Sequence, residues 1–154
     1  MGAQRLPDAI IWMYIGLAIL CVVAAITYTV GKRAYGYHGM GDLMVFLFFG
    51  LVSVLGVYSL FSKNFLDENI ALASCIGLLS AAVLNLNNMR DYRSDKESNK
   101  ITMVVKMGPN FAKLYHATLL ILAMGMMALF VTRFDSPYFL ICALPAVPLS
   151  LIHI

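Results

Sequence analysis

Long apolar runs separated by short polar breaks set the pattern of this chain. The runs lie at residues 9–29, 43–61, 70–86, 114–131 and 139–152. Four of them approach the roughly 20 residues that an α-helix needs to cross a bilayer. The fifth is interrupted by Pro145 and Pro148 and predicts a kinked or incomplete span. The expected fold class is therefore all-α, a polytopic transmembrane helical bundle forming a single domain over residues 1–154, with no room for a water-soluble domain. Pro7-Asp8 is a helix-start signal ahead of the first run. That run is longer than a signal-peptide core and lacks an A-x-A cleavage site, so it reads as a span. Gly50 and Gly56 in the second run, and Gly77, Ser80, Ala81 and Ala82 in the third, predict faces where helices approach closely.

Composition agrees with the pattern: 61% of the 154 residues are hydrophobic and 12% charged, against roughly 25% charged in a soluble domain. Cys21, Cys75 and Cys142 each fall within an apolar run without a C-x-x-C partner, and read as small buried hydrophobes. Met103, Met107, Met124, Met126 and Met127 read as adaptable apolar filler. The distribution of charge says more than the net +3. Loops 31–42 and 87–113 should share one side, and they carry Lys32, Arg33, Arg90, Arg93, Lys96, Lys100, Lys106 and Lys113, whereas the other side has Arg5, Lys63 and Arg133. By the positive-inside rule those two loops are cytoplasmic. The partner implied by this layout is a lipid bilayer, with no nucleic acid.

One polar stretch, residues 85–106, reads NLNNMRDYRSDKESNKITMVVK and is the place where chemistry can be sited. Asp91 and Asp95 are four residues apart and would project from one helix face with Cβ atoms roughly 6 Å apart. Two carboxylates at that separation repel unless a cation joins them. Asn87 lies one turn earlier, and Arg90, Arg93, Lys96 and Lys100 crowd around. Oxygens for a hard cation amid cations for an anion suit a magnesium-bridged phosphate or diphosphate, because Mg²⁺ takes one or two carboxylates, waters and substrate phosphate oxygens. The bland alternative is an exposed charged loop with incidental spacing. Asn85, Asn87 and Asn88 must lie at the interface or face a polar cavity, since amides are costly in hydrocarbon. Asn99 can take a left-handed turn, and the amphipathic segment 101–107 should stop at Gly108-Pro109. His38 reads as a loop residue, and Tyr115 and His116 as boundary residues where the chain re-enters the membrane. In the earlier loop, 31–42, four glycines stand among aromatics beside Lys32 and Arg33, which either anchor the membrane boundary or reach an anion; no P-loop is present.

Residues 87–108, NNMRDYRSDKESNKITMVVKMG, resemble the second aspartate-rich motif of the UbiA superfamily of intramembrane prenyltransferases, N-x-R-D, three residues, D, then G-K-x-T and a terminal G. Residues 28–33, YTVGKR, fit the Y-x-x-x-K motif of the same superfamily. Within it, YTVGKRAYGYHGMGDLMVFLFFG and AVLNLNNMRDYRSD are most similar to the menaquinone-pathway branch. The resemblance implies nine transmembrane helices, of which about five are present here, and two aspartate-rich loops holding Mg²⁺ and an isoprenyl diphosphate. It implies that Asp91 and Asp95 are catalytic and coordinate the metal, that Arg90, Lys100, Lys32 and Arg33 contact the diphosphate, and that Asn87, Asn88 and Tyr28 support the site. The substrates it implies are a polyprenyl diphosphate and 1,4-dihydroxy-2-naphthoate, giving demethylmenaquinone in a bacterial inner membrane; 4-hydroxybenzoate or another aromatic acceptor is the alternative. Two departures stand out: Asn99 occupies the usual Gly position, and no N-D-x-x-D motif occurs in these 154 residues. The expectation is a partial prenyltransferase domain, inactive alone. A CDP-alcohol phosphatidyltransferase would need a D-G-x-x-A-R run that does not follow Asp91, and a channel or transporter would place ionisable residues within the spans, which here hold almost none.

Overall fold

A computed structural model describes residues 8–31, 34–62 and 69–133. Within them the apolar runs become helices. The first, α1, covers Asp8–Thr29. The second, α2, is continuous over Gly41–Ser62. Then come α3 at Ile70–Arg90, α4 at Tyr92–Glu97, α5 at Met103–Met107 and α6 at Pro109–Val131. Four helices, α1, α2, α3 and α6, are long and apolar enough to cross a membrane. The expected span at 139–152 lies outside the described residues, as do Lys32, Arg33, Lys63 and Cys142.

Two boundaries differ from the hydropathy reading. The third run continues as helix through the amides to Arg90, and the fourth begins at Pro109 rather than residue 114. Helical hydrogen bonding does not stop where apolarity stops. Pro109 also suits a first helical turn, where its missing N–H has no intrahelical partner to lose.

The packing centre is α3, which lies against both α2 and α6. Ala73, Gly77 and Ala81, at helical spacing, are buried along it. Small side chains there let backbones approach, which is how membrane helices gain dispersion contact without a hydrophobic driving force. A Cβ placed on Gly50 of α2 would stand 2.6 Å from the Gly77 Cα. Around this contact α2 winds as a π-helix over Phe46–Val52. On the other side, Ala81 and Ala82 pack against Leu119 and Leu120 of α6. The expected role of Gly56 is different in kind: no atom would crowd a Cβ there, but its carbonyl accepts a 2.7 Å hydrogen bond from the Tyr14 hydroxyl, which ties α1 to α2. Much of α1 is otherwise exposed, Trp12 and Ile19 included.

Cys75 is buried as expected, and Cys21 is half-buried. His116 corrects the boundary assignment. It is fully buried, and hydrogen-bonds the Ala82 backbone. The reason is phase: with α6 starting at Pro109, His116 falls on the same stripe as buried Ala112, Leu119, Leu120 and Ala123.

Candidate functional site

The polar end of the bundle is built by three short devices. The α3 helix ends at Asp91, whose backbone leaves helical geometry at φ −91°, ψ 7°, yet the Asp95 N–H still reaches the Asp91 carbonyl at 2.9 Å. The four-residue spacing of the two acids is thus kept across the junction with α4. The α4 helix then closes through Asn99, whose φ of 55° is the left-handed conformation. Lys100 N–H bonds the Asp95 carbonyl at 2.8 Å and Asn99 N–H bonds that of Lys96 at 3.3 Å, the paired backbone bonds of a Schellman motif. Asn is tolerated where Gly would otherwise be favoured because its short side chain is among the few that visit this region. Finally Thr102 caps α5 by accepting from the Val105 N–H, and Gly108, at φ 81°, separates α5 from α6.

The Schellman turn folds Lys100 back over the last turn of α4, so that its Nζ meets Asp95 Oδ1 at 3.1 Å. Asp95 is buried, its side chain 8% exposed against 29% for Lys100, and its Oδ2 is buried without a hydrogen-bond partner among the described residues. Asp91 is the opposite case. It faces solvent and is gripped by Arg90, Nε to Oδ1 at 2.8 Å and Nη2 to Oδ2 at 3.0 Å. That hydrogen-bonded guanidinium, with the charges of Arg90 and Lys100, holds the Asp91 carboxyl below the usual carboxylate range. The Lys100 charge therefore acts on both carboxylates.

Among the described residues no three His, Cys, Asp or Glu side chains cluster as a metal group. Mg²⁺ needs only one or two carboxylates from a protein, because waters and phosphate oxygens complete its shell. The orphaned Asp95 Oδ2 is the atom that such a cation would satisfy.

The supporting residues divide. Asn88 is buried, Asn87 is exposed with its carbonyl accepting from the Asp91 N–H at 2.9 Å, and fully buried Asn85 donates from Nδ2 to the Ala112 carbonyl at 3.1 Å, linking α3 to α6. Tyr28 packs beneath the following loop: a Cβ on Gly36 would meet its carbonyl oxygen at 2.7 Å and its ring at 2.9 Å. The two polar loops come together. Ile101 N–H donates to the Tyr37 carbonyl at 3.1 Å, and Lys106 Nζ to the His38 carbonyl at 2.8 Å.

One buried acid escaped the sequence reading. Asp42 opens α2, is buried, and hydrogen-bonds the Tyr115 side chain of α6. An ionisable residue in the first turn of a membrane span was the available signal; placing the start of the run at Leu43 left it in the loop.

These features define an integral membrane protein with two acid–base pairs, Arg90–Asp91 and Lys100–Asp95, at one end of its bundle. The chain belongs to the UbiA prenyltransferase family, whose profile matches residues 9–154. It is 47% identical to a 1,4-dihydroxy-2-naphthoate octaprenyltransferase of Escherichia coli (strain K12) over 120 residues, 76% of this chain and 39% of that protein. The protein of the same name from Mycobacterium tuberculosis is 36% identical over 140 residues, 91% of this chain and 47% of the relative. UbiA prenyltransferase domain-containing protein 1 of Homo sapiens is 30% identical over 92 residues, 60% of this chain and 27% of the relative. The chain thus spans less than half the length of these relatives. No solved structure matches it.

Proposed function

We propose that this chain carries the diphosphate-binding residues of a membrane prenyltransferase that transfers a polyprenyl group from polyprenyl diphosphate to 1,4-dihydroxy-2-naphthoate, a reading supported by the two relatives named 1,4-dihydroxy-2-naphthoate octaprenyltransferase. The observation that carries this is the Asp91/Asp95 pair ringed by Arg90 and Lys100, with one buried Asp95 oxygen unpartnered. Asp95 and Asp91 would hold Mg²⁺, which when bound would neutralise charge on the diphosphate. Arg90 and Lys100 then turn from the carboxylates toward diphosphate oxygens, joined by Lys32 and Arg33. As the allylic C–O bond breaks, the departing diphosphate gains charge, and the cations already turned onto its oxygens stabilise that charge. The apolar bundle keeps water from the allylic carbon while a carbon–carbon bond forms to the ring; the ring carboxyl group leaves as carbon dioxide. Loops 31–42 and 87–113 face the cytoplasm of a bacterial cell.

The test uses membranes from cells expressing the complete open reading frame that carries this chain, supplied with magnesium, a polyprenyl diphosphate and either dihydroxynaphthoate or 4-hydroxybenzoate. Prenylated naphthol is the expected product. Asp91→Asn and Asp95→Asn should each lower turnover by about 100-fold or more, the size of effect seen when one charge-stabilising group is removed, with membrane insertion unchanged. Near-normal activity of both variants at limiting magnesium would refute the metal assignment, and transfer to 4-hydroxybenzoate alone would refute the acceptor.

A further inference from the structure

An apolar cavity of about 320 Å³ opens between α2, α3, α5 and α6, and Asp42 and Tyr115 both line it. Its size is at the lower end of small-molecule sites. The remaining wall is supplied by Gly39 and by side chains such as Leu43, Phe46, Leu78, Met103 and Leu119. Asp42 is only 5% exposed, and its Oδ2 has no hydrogen-bond partner among the described residues. A carboxylate among apolar walls is unfavourable without donors, so the side of the cavity that Asp42 lines suits a ligand that brings one. A polyprenyl tail has no donor, and a diphosphate would be repelled. A phenolic hydroxyl supplies the donor, and its flat ring suits the apolar walls.

The rim carries the opposite charge. Lys106 Nζ is held on the His38 carbonyl, and a Cβ placed on Gly39 would stand 2.8 Å from it. Gly39 itself is at φ 76°, a conformation that disfavours a side chain, and the ammonium occupies the space that a side chain there would need. One donor of a lysine's three is engaged by His38, which leaves others for an anion.

The geometry points to Asp42, Tyr115 and Lys106 as the acceptor-binding set of the proposed transferase. Asp42 takes the hydrogen bond of a ring hydroxyl remote from the acceptor's carboxylate, Tyr115 fixes the Asp42 carboxylate, and Lys106 draws the acceptor's carboxylate to the rim. The cavity is thus matched to an aromatic hydroxy acid, and this inference rests on the prenyltransferase reading above.

The test measures KM for dihydroxynaphthoate and for polyprenyl diphosphate separately, in membranes carrying the complete open reading frame, for the wild type and for Asp42→Ala, Lys106→Met and Tyr115→Phe. Competitive inhibition by 4-hydroxy-2-naphthoate and by 2-naphthoate, which lacks the hydroxyl, is measured alongside. Asp42→Ala should raise the acceptor KM by about 10- to 100-fold, the worth of one hydrogen bond to a charged group, leave the diphosphate KM unchanged, and erase the preference for the hydroxylated inhibitor. Lys106→Met should weaken both inhibitors alike and keep the preference. If Asp42→Ala fails to accumulate in membranes, Tyr115→Phe decides: it should reduce the hydroxyl preference, and an unaltered preference overturns the inference. An Asp42→Ala enzyme that retains the preference, or whose diphosphate KM rises in step, also overturns it. A wild type that prenylates no aromatic acid refutes the transferase reading as well, whereas an active wild type with an Asp42-independent preference refutes this inference alone.

Discussion

Removing Lys100 should destabilise the protein more than neutralising its partner Asp95. In Lys100→Met the carboxylate stays where the fold puts it, 8% exposed, now with neither oxygen paired. Breaking a buried ion pair from one side costs about 3–5 kcal/mol. The lysine is 29% exposed, so water already reaches the pair and the lower end, about 3 kcal/mol, applies. Asp95→Asn leaves the opposite orphan. The lysine can swing into water or keep the amide oxygen, so about 1 kcal/mol is lost. The difference, about 2 kcal/mol, corresponds to roughly 30-fold in the folded-to-unfolded ratio. Equilibrium unfolding of both variants of the complete open reading frame in mixed micelles measures it. Magnesium adds a second arm, since a cation bound to Asp95 at 100 times its Kd contributes about 2.7 kcal/mol and should rescue Lys100→Met more than Asp95→Asn. Equal destabilisation of the two variants, or a greater loss in Asp95→Asn, would refute the asymmetry argued from burial.

Three further outcomes are expected. Gly50→Ala should lower stability by about 1–3 kcal/mol, because its Cβ would meet the Gly77 Cα at 2.6 Å and the Ala73 carbonyl at 2.7 Å, which are backbone atoms that cannot rotate away; unchanged unfolding in micelles would contradict the helix contact. Lys96→Cys should be labelled by an impermeant thiol reagent only after cells are opened, and Arg133→Cys in intact cells, since they lie at opposite ends of α6 and its connecting loop; the reverse pattern would invert the orientation. The Asp91 carboxyl is held below its usual range by Arg90. Its contribution is therefore full above the unfolded-state pKa of about 3.9 and is lost only as pH falls through the lower folded value, so the infrared carboxylate band of Asp91 should persist below pH 4 and move to higher pH in Arg90→Gln; an unmoved band would count against the pairing.

The sequence by itself determined the membrane class, four spans within the described residues, the place of the polar site and the left-handed turn at Asn99. Each of these follows from local physics: bilayer thickness sets helix length, and backbone sterics single out Asn or Gly where φ is positive. The family motif marked Asp91 and Asp95, but not their difference. Only the tertiary structure decided that Asp95 is buried beneath Lys100 while Asp91 stands in solvent with Arg90. It alone paired Gly50 with Gly77, turned His116 inward, and joined the two polar loops through Tyr37, His38, Ile101 and Lys106. It also placed Asp42 against Tyr115, far along the chain. Hydropathy reports what a residue is, whereas burial depends on which distant helix covers it and at what rotational phase. A single position of shift in where α6 begins moves a side chain by about 100° around the helix axis, and a pattern whose faces are almost equally apolar does not fix that phase.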